Sequence, residues 1–144
     1  MKKLNKILCI DFGTKIIGFA ITDNERKFAL PFCEIPNSQN KFNKILEFIE
    51  SENIGLIIVG YPKTRNNYVS ERHQIINNFK NELDEVITNK NLDVKTIFYD
   101  ESYSTKSSFD SLKNFNVKTN KLSKNKDMIA ASIVLENYLN KFNS

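Results

Sequence analysis

Three acidic residues stand where the apolar pattern of the chain has no local use for them: Asp11, Glu101 and Asp127. Asp11 interrupts the apolar run Ile7-Leu8-Cys9-Ile10, where a core residue is expected. Glu101 follows the strand-like run at 94–99, and Asp127 opens the last helical stretch. A carboxylate in an apolar run is costly without a partner, and three in one dry pocket would raise each other's pKa values. A hard dication resolves that conflict. Mg2+ or Mn2+ takes oxygen ligands and keeps water positions open, whereas zinc prefers Cys and His. Two such ions about 4 Å apart activate a water and stabilise the leaving oxygen of a phosphodiester. A plainer alternative stands beside this one. Asp127 then serves only as a favourable charge at a helix N-terminus, Glu101 as a solvated loop residue, and Asp11 as part of an Asp-x-Gly turn.

The elements that must position these residues follow from hydrophobic period and turn residues. Residues 7–12 and 16–23 are predicted to form a β-hairpin, with Gly13 permitting the turn. Gly18 in the returning strand marks a bulge or a close backbone approach. After the polar turn 24–27 comes a strand at 28–35, which Pro31 confines to a sheet edge. Residues 36–39 break the pattern and offer caps to an amphipathic helix at 40–52, in which Phe42, Ile45, Leu46 and Ile49 fall at i, i+3, i+4, i+7. The continuously apolar 54–60 reads as a central parallel strand. A helix at 70–89, a strand at 94–99, a helix at about 105–115 capped by Ser104 or Thr105, a basic loop at 116–126 and a helix at 127–141 complete the order. This predicts an α/β fold with a five-stranded mixed sheet, three antiparallel strands then two parallel, and helices on both faces. Its strand ends would bring Asp11 and Glu101 to one crevice. Ala130 and Ala131 would let the last helix press on the sheet and carry Asp127 there.

The 144 residues are expected to form a single domain, residues 1–144, with a real core. The apolar share of 40% and charged share of 26% are those of a soluble globular protein. No run of about 18 apolar residues occurs, and the basic start resembles no signal peptide, so the expected location is the cytoplasm with no membrane partner. Two isolated cysteines, Cys9 and Cys33, with one histidine do not make a zinc site. They read as buried reduced thiols. The net charge of +4 permits a polyanionic partner.

Four ordered blocks resemble the YqgF/RuvX family, named for Holliday junction resolution. The first is Asp11-Phe12-Gly13-Thr14-Lys15 with Gly18, Ala20 and Thr22-Asp23. The second is Ile58-Val59-Gly60-Tyr61-Pro62, and the third Asp100-Glu101-Ser102-Tyr103-Ser104-Thr105. The fourth is Asp127 with Ala130-Ala131 and Leu135-Glu136-Asn137-Tyr138-Leu139. The resemblance implies an RNase H-like fold and a metal-dependent nuclease. Its acidic triad falls on Asp11, Glu101 and Asp127, as catalytic residues and ligands of Mg2+ or Mn2+. It further implies maturation of the 5′ end of pre-16S rRNA within ribosomal precursor particles, or resolution of four-way DNA junctions. Ser102 and Tyr103 depart from the family's Arg and Leu, and Arg65 and Asn67 from an apolar residue and a Gly.

The positive residues nearest these blocks are candidate phosphate contacts: Lys15, Lys63, Arg65, Lys121, Lys124 and Lys126. Ordinary solvated surface charge explains each of them as well. His73 reads as a surface or helix-packing residue. Two other functions compete with the nuclease, namely a non-catalytic nucleic-acid-binding module and an actin-like ATPase suggested by Asp-x-Gly-Thr. Pure binding gains nothing from three carboxylates, and an actin-like site needs two such domains. The chain could act as a monomer or a homodimer.

Overall fold

The computed structural model describes residues 5–62, 70–101 and 126–143, with the side chains of residues 100, 101, 142 and 143 outside that description. Five strands and three helices are described: β1 (Lys6–Phe12), β2 (Ile16–Thr22), β3 (Ala29–Pro36), α1 (Lys41–Glu52), β4 (Ile54–Pro62), α2 (Glu71–Asn89), β5 (Lys95–Glu101) and α3 (Lys126–Asn143). The sheet order is β3-β2-β1-β4-β5. Pairing is antiparallel from β3 through β2 to β1 and parallel from β1 through β4 to β5, as the period had implied. The expected helix at 105–115, its caps Ser104 and Thr105, and most of the basic loop lie outside the described residues.

Strand alternation divides the core into two layers. Leu8, Ile10 and Phe12 of β1, with Ile17, Phe19 and Ile21 of β2 and Ile57 and Val59 of β4, face α1 and α2. Ile45 and Ile49 of α1 and Ile76, Phe79, Leu83 and Ile87 of α2 cover them. Ile7, Cys9, Ala20 and Ile58 point the other way, under Ala131, Val134, Leu135 and Leu139 of α3. Asp11 continues the parity of Ile7 and Cys9, so it belongs to the α3 face at the carboxyl end of β1.

β3 is an edge strand, as Pro31 required. Its register shifts opposite Phe19 and Ala20, which pair with Cys33 and Pro31 and leave Phe32 as the extra residue of a bulge. The β2–β3 turn is tied by Asp23, whose Oδ1 accepts from the amides of Lys27 and Phe28, each at 2.8 Å. Those bonds hold its carboxyl below the usual range.

Several boundaries differ from the sequence reading. β4 runs on to Pro62 and β5 to Glu101, because parallel pairing with the neighbouring strand continues past the apolar residues that mark each strand. Glu101 is therefore the last strand residue instead of the first after it. α3 opens at Lys126, one residue early, so Lys126 leaves the expected loop. Asn37 does not cap α1, which starts behind Asn40 without a side-chain cap. Its Nδ2 instead donates to the carbonyl of Gly13 at 2.9 Å, and its amide to that of Lys15. One of the residues offered as helix caps thus ties down the β1–β2 turn.

His73 is buried and caps its own helix. Its Nδ1 accepts from the Ser70 amide at 3.0 Å, which leaves the ring proton on Nε2 to donate to the Pro62 carbonyl at 2.9 Å. It is a packing residue, which completes the apolar stripe of α2 one turn before Ile76. Cys9 is fully buried and Cys33 half-buried, and neither is in a disulfide. Burial, with Glu34 alongside, pushes the Cys33 thiol up to about 11, so it is an inert thiol.

Candidate nuclease site

The β1–β2 turn is the first wall of an open cleft of about 610 Å3. Residues 11–16 form that wall, the first turns of α2 (Glu71, Arg72, Ile75, Ile76) the second, and Lys126 and Asp127 at the start of α3 the third. Gly13 makes the turn possible, since a Cβ there would stand 2.3 Å from the carbonyl oxygen of Ile16. The cleft opens at the carboxyl end of β1, where open α/β sheets hold their ligands.

Asp127 reaches the cleft because of Gly18. Asp11 pairs with Gly18 across β1 and β2, and Gly18 pairs with Glu34 across β2 and β3. The three residues form one row across three strands, an acid on either side of a residue with no side chain. The first turn of α3 occupies the gap. A Cβ on Gly18 would lie 2.2 Å from the carbonyl carbon and oxygen of Asp127. This is the close approach that a glycine in an apolar strand had suggested. Glu34 then closes the end of the helix, its Oε2 accepting from the amides of Asp127 at 2.9 Å and Met128 at 3.0 Å. Two of the orphan donors of α3 are satisfied in this way, by a residue from a distant strand.

The carboxyl of Asp127 carries the imprint of this packing. Partial burial raises its pKa, Glu34 raises it further, and Lys126 and Arg72 pull it back. A carboxylate whose folded pKa is raised binds protons more tightly in the native state, so its ionisation destabilises the fold as pH rises above the ordinary value of 3.8. Asp127→Asn should therefore melt at or slightly above the wild-type temperature at pH 7 without metal. That difference should vanish near pH 4, in thermal melts across the pH range.

Of the expected site residues, Asp11, Asp127, Lys15 and Lys126 all line the cleft. Glu101 ends β5 paired with Pro62. Its side chain, and Lys63, Arg65, Lys121 and Lys124, lie outside the described residues. Among the described residues no three His, Cys, Asp or Glu side chains form a metal-holding group.

The donor chemistry nonetheless suits a hard cation. Asp11 and Asp127 share one cleft, and partial burial with Glu34 alongside raises the cost of a bare charge on Asp127, which a cation would offset. All of these donors are oxygens.

Sequence reasoning missed two residues. Glu34 interrupts the apolar strand Leu30-Pro31-Phe32-Cys33 much as Asp11 interrupts its own, so the same signal was present. Arg72 is a cation in the first turn of a helix, opposed by the macrodipole, and such a placement points to a role outside the helix.

The sequence model of a family described as "RuvX: Holliday junction resolvase" matches residues 5–141. A protein of Malacoplasma penetrans (strain HF-2), named "Putative pre-16S rRNA nuclease", is 65% identical over 140 residues, covering 96% of this chain and 97% of that protein. A protein of the same name from Maridesulfovibrio salexigens is 34% identical, covering 93% of this chain and 97% of its own. Among solved structures, the fowlpox virus resolvase in complex with Holliday junction DNA superposes with a TM-score of 0.58 at 19% identity, covering 96% of this chain and 99% of that one. RuvC of T. thermophilus in complex with a Holliday junction substrate gives 0.54 at 10%, covering 94% and 93%. These likenesses give the fold, which is RNase H-like. No described helix is long and apolar enough to cross a membrane.

Proposed function

The chain belongs to the RuvX family of Holliday junction resolvases, and from that premise we propose that residues 1–144 act as one metal-dependent nuclease domain on structured nucleic acid, the 5′ end of pre-16S rRNA in the cytoplasm. The observation that carries the reading is the placement of Asp11 and Asp127 in one cleft by the Asp11–Gly18–Glu34 row. Asp11, Glu101 and Asp127 would hold Mg2+ or Mn2+, as two ions. When bound, the metal lowers the pKa of water and neutralises charge on the leaving oxygen of the phosphodiester.

The chain's own residues do the rest. The β1–β2 turn, tied by Asn37, presents Lys15 to one side of the cleft. Arg72 and Lys126 stand on the other walls, where they grip backbone phosphates flanking the scissile bond. Lys63, Arg65, Lys121 and Lys124 are proposed as further phosphate contacts. Cations at a cleft rim set affinity and its salt dependence more than chemistry. Arg72→Ala should therefore raise KM about five- to tenfold and leave kcat near wild type. Binding measured against salt should lose about one unit of slope. A fall in kcat with unchanged KM would place Arg72 in the chemistry instead.

A four-way DNA junction is the second reading, favoured by the family's description and by the junction-bound neighbours of the same fold. Labelled pre-16S rRNA 5′ fragments and four-way junctions, each with Mg2+, Mn2+ or EDTA, separate the two. The proposal expects metal-dependent cutting of the RNA. Cutting of the junction alone would move the substrate to DNA, and cutting in EDTA would remove the metal from the reaction.

A further inference from the structure

We infer that Glu34 is a positioning residue of the site: it holds the first turn of α3 on Gly18, and so sets where Asp127 stands relative to Asp11. The inference rests on the proposed metal-dependent reading. It names a residue on which the acidic triad depends and which lies outside that triad.

The geometry leaves α3 few other ways to be held there. Its first turn sits in a gap in the sheet face, made by the missing side chain of Gly18. Apolar packing begins one turn later, at Ala131. Between the helix start and that packing, the described hydrogen bonds from the turn to the sheet are those from the Asp127 and Met128 amides to Glu34 Oε2, beside the attraction of Arg72 of α2 for the Asp127 carboxylate. Glu34 is itself anchored, because it sits on a strand paired to β2 directly opposite Gly18. Row, gap and cap therefore form one contiguous arrangement across β1, β2 and β3.

The cap also carries a cost that a merely structural residue would avoid. Glu34 places a negative charge beside Asp127, which is to hold a cation with Asp11. Glutamine could accept the same amide bonds without that repulsion. A carboxylate there accepts both amides with one oxygen through charge-assisted bonds, which are stronger than those a glutamine oxygen would make.

Residues that orient a ligand without touching the metal typically change metal affinity or activity about 10- to 100-fold when removed. Glu34→Ala should weaken Mn2+ binding by about that factor in calorimetric titration of the full chain. It should lower kcat similarly while KM for nucleic acid stays within about threefold. In amide hydrogen exchange, the Asp127 and Met128 amides should lose protection while β1, β4 and α2 keep theirs. Glu34→Gln should recover most of the metal affinity and the amide protection. Wild-type Mn2+ affinity in Glu34→Ala, or equal losses in Glu34→Ala and Glu34→Gln, would overturn the positioning role with the nuclease reading intact. Absence of Mn2+ binding and metal-dependent cleavage in the wild type would overturn both.

Discussion

Gly18→Ala should destabilise the fold by about 3 kcal/mol and remove nearly all activity from what remains folded. The added methyl would meet the carbonyl carbon and oxygen of Asp127 at 2.2 Å and the Met128 nitrogen at 2.7 Å. These are backbone atoms of a helix start, so no rotamer change relieves the clash. Either β2 bows or the start of α3 lifts off the sheet. Lifting also strips the Glu34 cap, and the two costs add. For a chain of this size the melting temperature should fall by roughly 10 °C. Activity, measured well below the new melting point, should drop at least about 100-fold, since a displacement near 1 Å at a reacting group has that effect. An unchanged melting temperature would mean that α3 does not rest on Gly18.

Asp11→Asn tests the chemistry and leaves the architecture alone. The side chain is partly exposed and lies at the end of β1, and the amide matches the carboxylate in shape. Stability should therefore change little. What is lost is charge toward the cation. If Asp11 stabilises a metal-assisted transition state by about 4 kcal/mol, cleavage should fall roughly 1,000-fold. In the absence of metal the two proteins should melt alike. Added Mn2+ should raise the wild-type melting temperature and leave that of Asp11→Asn nearly unchanged, because only binding to the native state stabilises it.

The sheet was legible because period and punctuation agreed. Pro31 put β3 at an edge, the unbroken apolar run of β4 marked a central strand, and Gly13 and Gly18 marked the turn and the close approach. Asp11 was legible as an acid in an apolar strand. Asp127 was legible as the start of a helix that Ala130 and Ala131 let press on the sheet, but the contact that fixes it beside Asp11 was hidden. Its amide bonds to Glu34, 93 residues away in sequence, and no local pattern announces such a pair. Glu34 itself lay in a strand blurred by Pro31 and a bulge, so its interruption of the apolar run did not stand out. Arg72 was masked in a different way. Helical period draws attention to the buried stripe led by His73 and away from the neighbour that faces the cleft. Residues assigned by a period are those that pack, while residues that meet a substrate sit where the period is silent.

The most direct test is cleavage of the labelled pre-16S rRNA 5′ fragment by wild type and Asp11→Asn, side by side, with and without Mn2+. The account predicts cutting by the wild type only when metal is present, and a loss of about 1,000-fold in Asp11→Asn at unchanged melting temperature. Metal-dependent cutting that survives in Asp11→Asn would contradict it.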